Sequence, residues 1–142
     1  MMKELIEQGY GTDLKLNCAE KILYSANEVY NLGLDSEALK LAAGFGGGMA
    51  IESTCGALTG GVMVLGKLFK PINKTKEENE YFRGIIKSFL DAFRKDMNNI
   101  DCAPLKKEYR TEEKGCNGII LKAAEVLEMI INKELEKAKK KS

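Results

Sequence analysis

Residues 51–69 read IESTCGALTGGVMVLGKLF, and the fold turns on how this stretch is taken. Val62, Met63, Val64, Leu65, Leu68 and Phe69 make it apolar on nearly every side, without the alternation of a half-buried strand. A helix that is apolar all round belongs inside a protein. The stretch therefore predicts a buried central helix over Ile51 to Phe69, closed by Pro71. Gly56, Gly60, Gly61 and Gly66 oppose a helix on propensity, each by about 1 kcal/mol relative to alanine. They are useful only where another backbone or a cofactor must come close. The uncharged run Ser53 to Gly66 spans 14 residues. That falls short of the roughly 18 apolar residues that suggest a membrane span, so no membrane insertion is expected.

Helical spacing continues on both sides of this stretch. Upstream, Asn17 is an N-cap for a long helix with an apolar stripe of Ile22, Leu23, Ala26, Val29 and Tyr30, stopped at Gly33. Asp35 or Ser36 caps a shorter helix through Glu37 to Ala43, and the run Gly44-Phe45-Gly46-Gly47-Gly48 ends it in a tight turn. Downstream, Thr75 followed by Glu78 is a capping box. It opens a helix that carries Phe82, Ile85, Ile86, Phe89, Leu90 and Phe93. Asn98 to Gly115, with Pro104 and many charges, reads as a loose connection that contains Cys102. A last helix starts near Cys116 and runs through Ile119, Ile120, Ala123, Val126, Leu127, Ile130 and Ile131 to a lysine-rich end. The expected fold is all-α: one domain over 1–142, a compact bundle of about five helices around a glycine-rich buried helix. Residues 1–15 and 137–142 are expected to be flexible ends.

The composition narrows the function. There are 22 basic and 21 acidic residues, a formal net charge of +1, which gives no electrostatic reason to expect nucleic acid as a partner. The chain has no histidine. That removes the commonest metal ligand and the commonest general base at neutral pH, and with them the usual haem sites. Met1 to Gly11 carries Lys3, Glu4 and Glu7 and no apolar run, so no signal peptide is expected and a cytoplasmic, reducing location follows. Cysteines in such a compartment are more often metal-binding, catalytic or inert than disulfide-bonded.

There are four of them, Cys18, Cys55, Cys102 and Cys116, separated by 37, 47 and 14 residues. Cys18 and Cys116 fall at expected helix starts, where unpaired amides and the helix dipole favour a thiolate. Cys55 is followed by Gly56 and Ala57, which leave room around its sulfur. No C-x-x-C pair is present, so neither an ordinary zinc motif nor a thioredoxin-like dithiol is. Four separate thiolates can still converge on one centre, and with no histidine that centre is all-thiolate, holding zinc or an iron–sulfur cluster. Against this stands the plainer reading that each cysteine is a small buried hydrophobe.

Cys18, then Gly46-Gly47-Gly48-Met49 leading into Cys55-Gly56-Ala57-Leu58-Thr59-Gly60, then Cys102 and Cys116, resembles the C_GCAxxG_C_C family of four-cysteine redox proteins. The resemblance covers nearly the whole chain. It implies that the four cysteines are redox or cluster thiols and that Gly56, Ala57 and Gly60 are packing residues beside Cys55. A similar helical domain occurs in split-Soret cytochromes, and that kinship implies an iron–sulfur cluster, [2Fe-2S], serving electron transfer with a redox partner protein. The haem-binding residues of those cytochromes are missing here. The alternatives are a thiol–disulfide oxidoreductase cycling cysteine pairs, and a structural or interaction module with zinc or nothing at the cysteines. Neither an electron donor nor a substrate is implied. The apolar central helix also allows a homodimer.

Three further features mimic sites. Gly61 to Lys67 imitates the start of a phosphate-binding loop, but Leu68 stands where Ser or Thr is required and apolar residues fill the middle. Gly56-x-x-x-Gly60 reads as close helix packing more readily than as a dimer face. Glu52, the one acid near the motif, reads as a solvated or capping carboxylate before a proton carrier.

Overall fold

The computed structural model describes residues 1–141; Ser142, part of the expected C-terminal end, lies outside the described residues. Seven α-helices form among them: α1 Met2–Glu7, α2 Cys18–Tyr30, α3 Ser36–Leu39, α4 Gly56–Phe69, α5 Lys76–Met97, α6 Cys102–Tyr109 and α7 Asn117–Lys141. No strand forms among the described residues. Two isolated backbone bridges join Thr54 with Asp101 and Thr111 with Gly115.

Local chemistry sets the helix starts. The Asn17 side chain accepts the Glu20 N–H while Glu20 accepts the Asn17 N–H, a reciprocal cap on α2. Asp35 accepts from the Ala38 N–H, and Thr75 from the Glu78 N–H. The long helices are then held by their apolar faces. In α5 the buried residues Ile85, Phe89, Phe93 and Met97 recur every fourth position, which places them on one face. That face meets α4 and α7, where Leu58, Val64, Leu65, Leu127 and Ile131 are fully buried. α4 packs against α2, α5 and α7 and is the central helix of the bundle.

The architecture departs from expectation in four places. The bundle has seven helices rather than about five, because two short helices were not anticipated. One is α1, in the segment expected to be a loose end. Met2 and Ile6 are buried against α2 and α7, and the Met2 N–H donates to Glu128. The other is α6, in the stretch read as a connection. Pro104 is its third residue, where the missing N–H has no partner to lose. The central helix starts at Gly56, five residues later than Ile51. The expected helix over Glu37 to Ala43 is divided into α3 and a tighter 3₁₀ segment, Lys40–Phe45. The lysine-rich residues 137–141 form the end of α7, where the sequence places them.

Candidate functional site

All four cysteines stand at helix starts. Cys18 is the first residue of α2, Cys55 precedes the first residue of α4, Cys102 opens α6, and Cys116 immediately precedes α7. Only Cys18 and Cys116 were placed there from the sequence. The sequence places Cys55 near the start of the central helix and Cys102 in a loop.

Two devices bring these starts together. The first is the glycine pair of α4. A methyl group added at Gly56 would sit 2.9 Å from the Phe45 carbonyl oxygen and 3.3 Å from both the Ala19 nitrogen and Cys18 Cβ. One at Gly60 would meet the Ala19 oxygen at 2.6 Å. The backbones of α2 and α4 thus touch with no side chain between them, and Cys18 lies next to the Cys55 turn. Gly56 and Gly60 are internal packing residues, as their spacing predicted. The second device is a backbone clamp. The Cys55 N–H donates to the Ile100 oxygen at 2.8 Å, and the Cys102 N–H donates to the Ser53 oxygen at 2.6 Å. This ties the start of α6 to the start of α4. Cys116 reaches the site from the turn between α6 and α7, where Thr111 and Gly115 exchange backbone bonds of 3.1 and 2.8 Å.

Each of the four thiols lies within electrostatic reach of the other three. All are free thiols. Cys55 and Cys102 are buried at 4% and 8% exposure, whereas Cys18 and Cys116 are half-buried. Among the described residues no three Cys, Asp or Glu side chains already stand as a metal-ligand set.

The protonation of the site differs from expectation. Helix starts were expected to favour thiolates, but burial pushes the Cys18 thiol up to about 12, and the neighbouring Cys55, Cys116 and Cys102 act in the same direction. Burial raises Cys55 to about 11, against the backbone N–H groups of Ala57 and Leu58 that face its sulfur. Burial raises Cys102 as well, opposed by Lys106 and Arg110. At these packed helix ends burial outweighs the pull of the dipole on the thiolate.

Glu52 pairs with Lys106 at 3.5 Å and is half exposed, as expected of a solvated carboxylate. Beside Cys116 a shallow polar cleft is lined by Lys106, Arg110, Thr111, Glu112 and Gly115. The phosphate-loop mimic, Gly61 to Lys67, lies wholly within α4 and forms no loop. No helix among the described residues is long and apolar enough to cross a membrane.

A family model described as "Putative redox-active protein (C_GCAxxG_C_C)" matches residues 16–130, a span that contains all four cysteines. Comparison with curated proteins and with solved structures found no match.

Proposed function

The chain belongs to the C_GCAxxG_C_C family, and on that premise we propose that it is an electron-transfer protein whose Cys18, Cys55, Cys102 and Cys116 hold an iron–sulfur cluster of the two-iron type. One observation carries this reading: four cysteines, each at the start of a different helix, share one neighbourhood.

The donor set fits such a group in its chemistry, because iron–sulfur clusters are held by thiolates and no histidine competes. The surroundings fit as well. A cluster with four thiolate ligands carries net negative charge, and the N-terminal end of a helix presents unpaired N–H groups and a positive dipole to an anion. Here four such ends supply that field. The set is not preassembled, so the side chains must turn inward to complete it.

The protein's own contribution divides among the four thiols. Without a cation, burial keeps Cys18, Cys55 and Cys102 protonated. A bound metal would supply the positive charge that lets them ionise together. When bound, a cluster takes up and releases single electrons. Cys55 and Cys102 hold the buried side, while Cys18 and Cys116, half-exposed, lie on the side nearer the surface. Exclusion of water by the buried pair is one of the factors that tune the potential of such a centre.

Anaerobic reconstitution tests the reading. The expected product is coloured and contains iron and sulfide in equal amounts, with serine at any one of the four positions lowering the iron content. A colourless protein that binds no iron, or one that binds stoichiometric zinc by four thiols, overturns it. The second reading, thiol–disulfide exchange, is favoured by the four neighbouring free thiols. The raised thiols weigh against it, since the thiolate is the attacking form. Two defined disulfides forming under mild oxidation would support it.

A further inference from the structure

Between the 3₁₀ segment and Cys55 the chain runs through a conformation that ordinary residues avoid. Gly47, Gly48, Met49 and Ala50 are all left-handed, with φ of 63°, 62°, 61° and 66°, and Glu52 follows at 55°. Glycine takes such values freely, but each L-residue there is disfavoured. Met49, Ala50 and Glu52 therefore carry strain that the rest of the structure must hold in place.

What holds it is the thiol site. A methyl group at Gly48 would come within 2.5 Å of the Ser53 nitrogen and 2.8 Å of Cys102 Cβ, so this backbone lies directly on Cys102. The Ser53 N–H donates to the Gly48 oxygen at 2.9 Å, and Ser53 in turn accepts from Cys102. Lys106 holds Glu52. At the other end Gly46 presses on the Asn17 side chain, next to Cys18. The outer surface of the segment is open: Ile51 is 78% exposed and Met49 is 41% exposed. Residues 46–52 thus cross from the start of α2 to the start of α6, packing on the Cβ of Cys102 and on Asn17, the neighbour of Cys18.

We propose that residues 46–52 are a strap over the site, and that its opening is the route by which a metal ion or a thiol reagent reaches Cys102. The left-handed strain at Met49 and Ala50 raises the closed state towards the open one, so opening is a local event that leaves the bundle folded. For the metal arm this inference rests on the cluster reading; the covering of Cys102 does not.

Ala50 is exposed and belongs to no part of the thiol site, so it can be changed without touching the ligands. Ala50→Gly removes the side-chain penalty of the closed form, partly offset by the freedom glycine gains in the open form. Alkylation of Cys102 in metal-free protein is then expected to slow roughly threefold. Ala50→Val puts a β-branched residue at the same φ, and alkylation of Cys102 is expected to quicken about tenfold. Cys116, followed in the same samples by mass spectrometry, keeps its rate in both. Equal Cys102 rates in the two variants, or Cys116 moving in step with Cys102, overturn the strap. Iron incorporation is expected to follow the same order; an uptake rate blind to both variants removes the strap as the metal's route. If the unsubstituted protein takes up no iron, the cluster reading fails, and the alkylation rates alone decide the strap.

Discussion

The body of the bundle and its thiol end are held by different means. In the body α5 and α7 close on large side chains, with Phe89, Phe93, Leu127 and Ile131 fully buried and regularly spaced. At the thiol end the helices meet through glycine backbones, a pair of bridging amides and a strained strap. Side-chain packing is tolerant in detail and contributes mainly stability. Backbone contact leaves no slack, and what it contributes is the placement of four sulfurs. The difference teaches that stability and site geometry are separable in this protein.

The largest expected effect breaks the comparison from the stable side. Phe89→Ala empties a fully buried position and should lower unfolding stability by about 3–5 kcal/mol in urea titrations. The same variant, once folded, should still take up iron, because Phe89 packs on Gly61, more than a turn into α4 from Cys55, and its removal leaves the α2–α4 backbone contact in place. Next comes Gly60→Ala, whose added methyl would lie 2.6 Å from the Ala19 oxygen. It should cost less, on the order of 1–3 kcal/mol, as overpacking does. Yet α2 must move away from α4 and carry Cys18 with it, so iron content should fall further than in Phe89→Ala. Equal iron loss in the two variants would erase the distinction between the body and the thiol end.

The smallest effect, that of raising the pH to 9, sharpens it. Cys18 and Cys55 have folded values of about 12 and about 11, raised from 9.0, so folding favours their protonated forms. Their contribution is complete below pH 9 and disappears as pH climbs through the folded values. Metal-free protein should therefore lose less than about 1 kcal/mol by pH 9 and steeply more towards pH 12. Denaturation midpoints measured across that range check it. Cys18→Ala and Cys55→Ala should each flatten the fall, whereas Phe89→Ala should shift the whole curve down without changing its shape.

The body of the bundle is legible in the sequence and the thiol end only in part. Phe82 to Phe93 and Ile119 to Ile131 announce their helices because burial repeats at the helical period. Asn17, Asp35 and Thr75 could be read because a cap is a contact between near neighbours. The start of α4 was misplaced because residues 51–55 follow a path set by Ile100 and Cys102, some forty-five positions away. The opening of α6 at Cys102 was hidden for the same reason, with Pro104 reading as a break. α1 has only six residues, too few to persist as an isolated helix, so only its docking through Met2 and Ile6 reveals it. For the site, the order and type of the four cysteines led to the family, while their depth, and hence their raised protonation, could not be seen without the packing.

The clamp between Ser53–Cys55 and Ile100–Cys102 also has a consequence in time. It closes a loop that contains the whole of α4 and α5, a long-range pairing of the kind that forms slowly. A nascent chain brings out Cys18 and Cys55 well before Cys102 exists, and Cys116 comes last. Half-made protein therefore offers stray metal or oxidant at most two of the four thiols together. The site is assembled near the end of folding, after the hairpin of α4 and α5 has brought its two margins face to face.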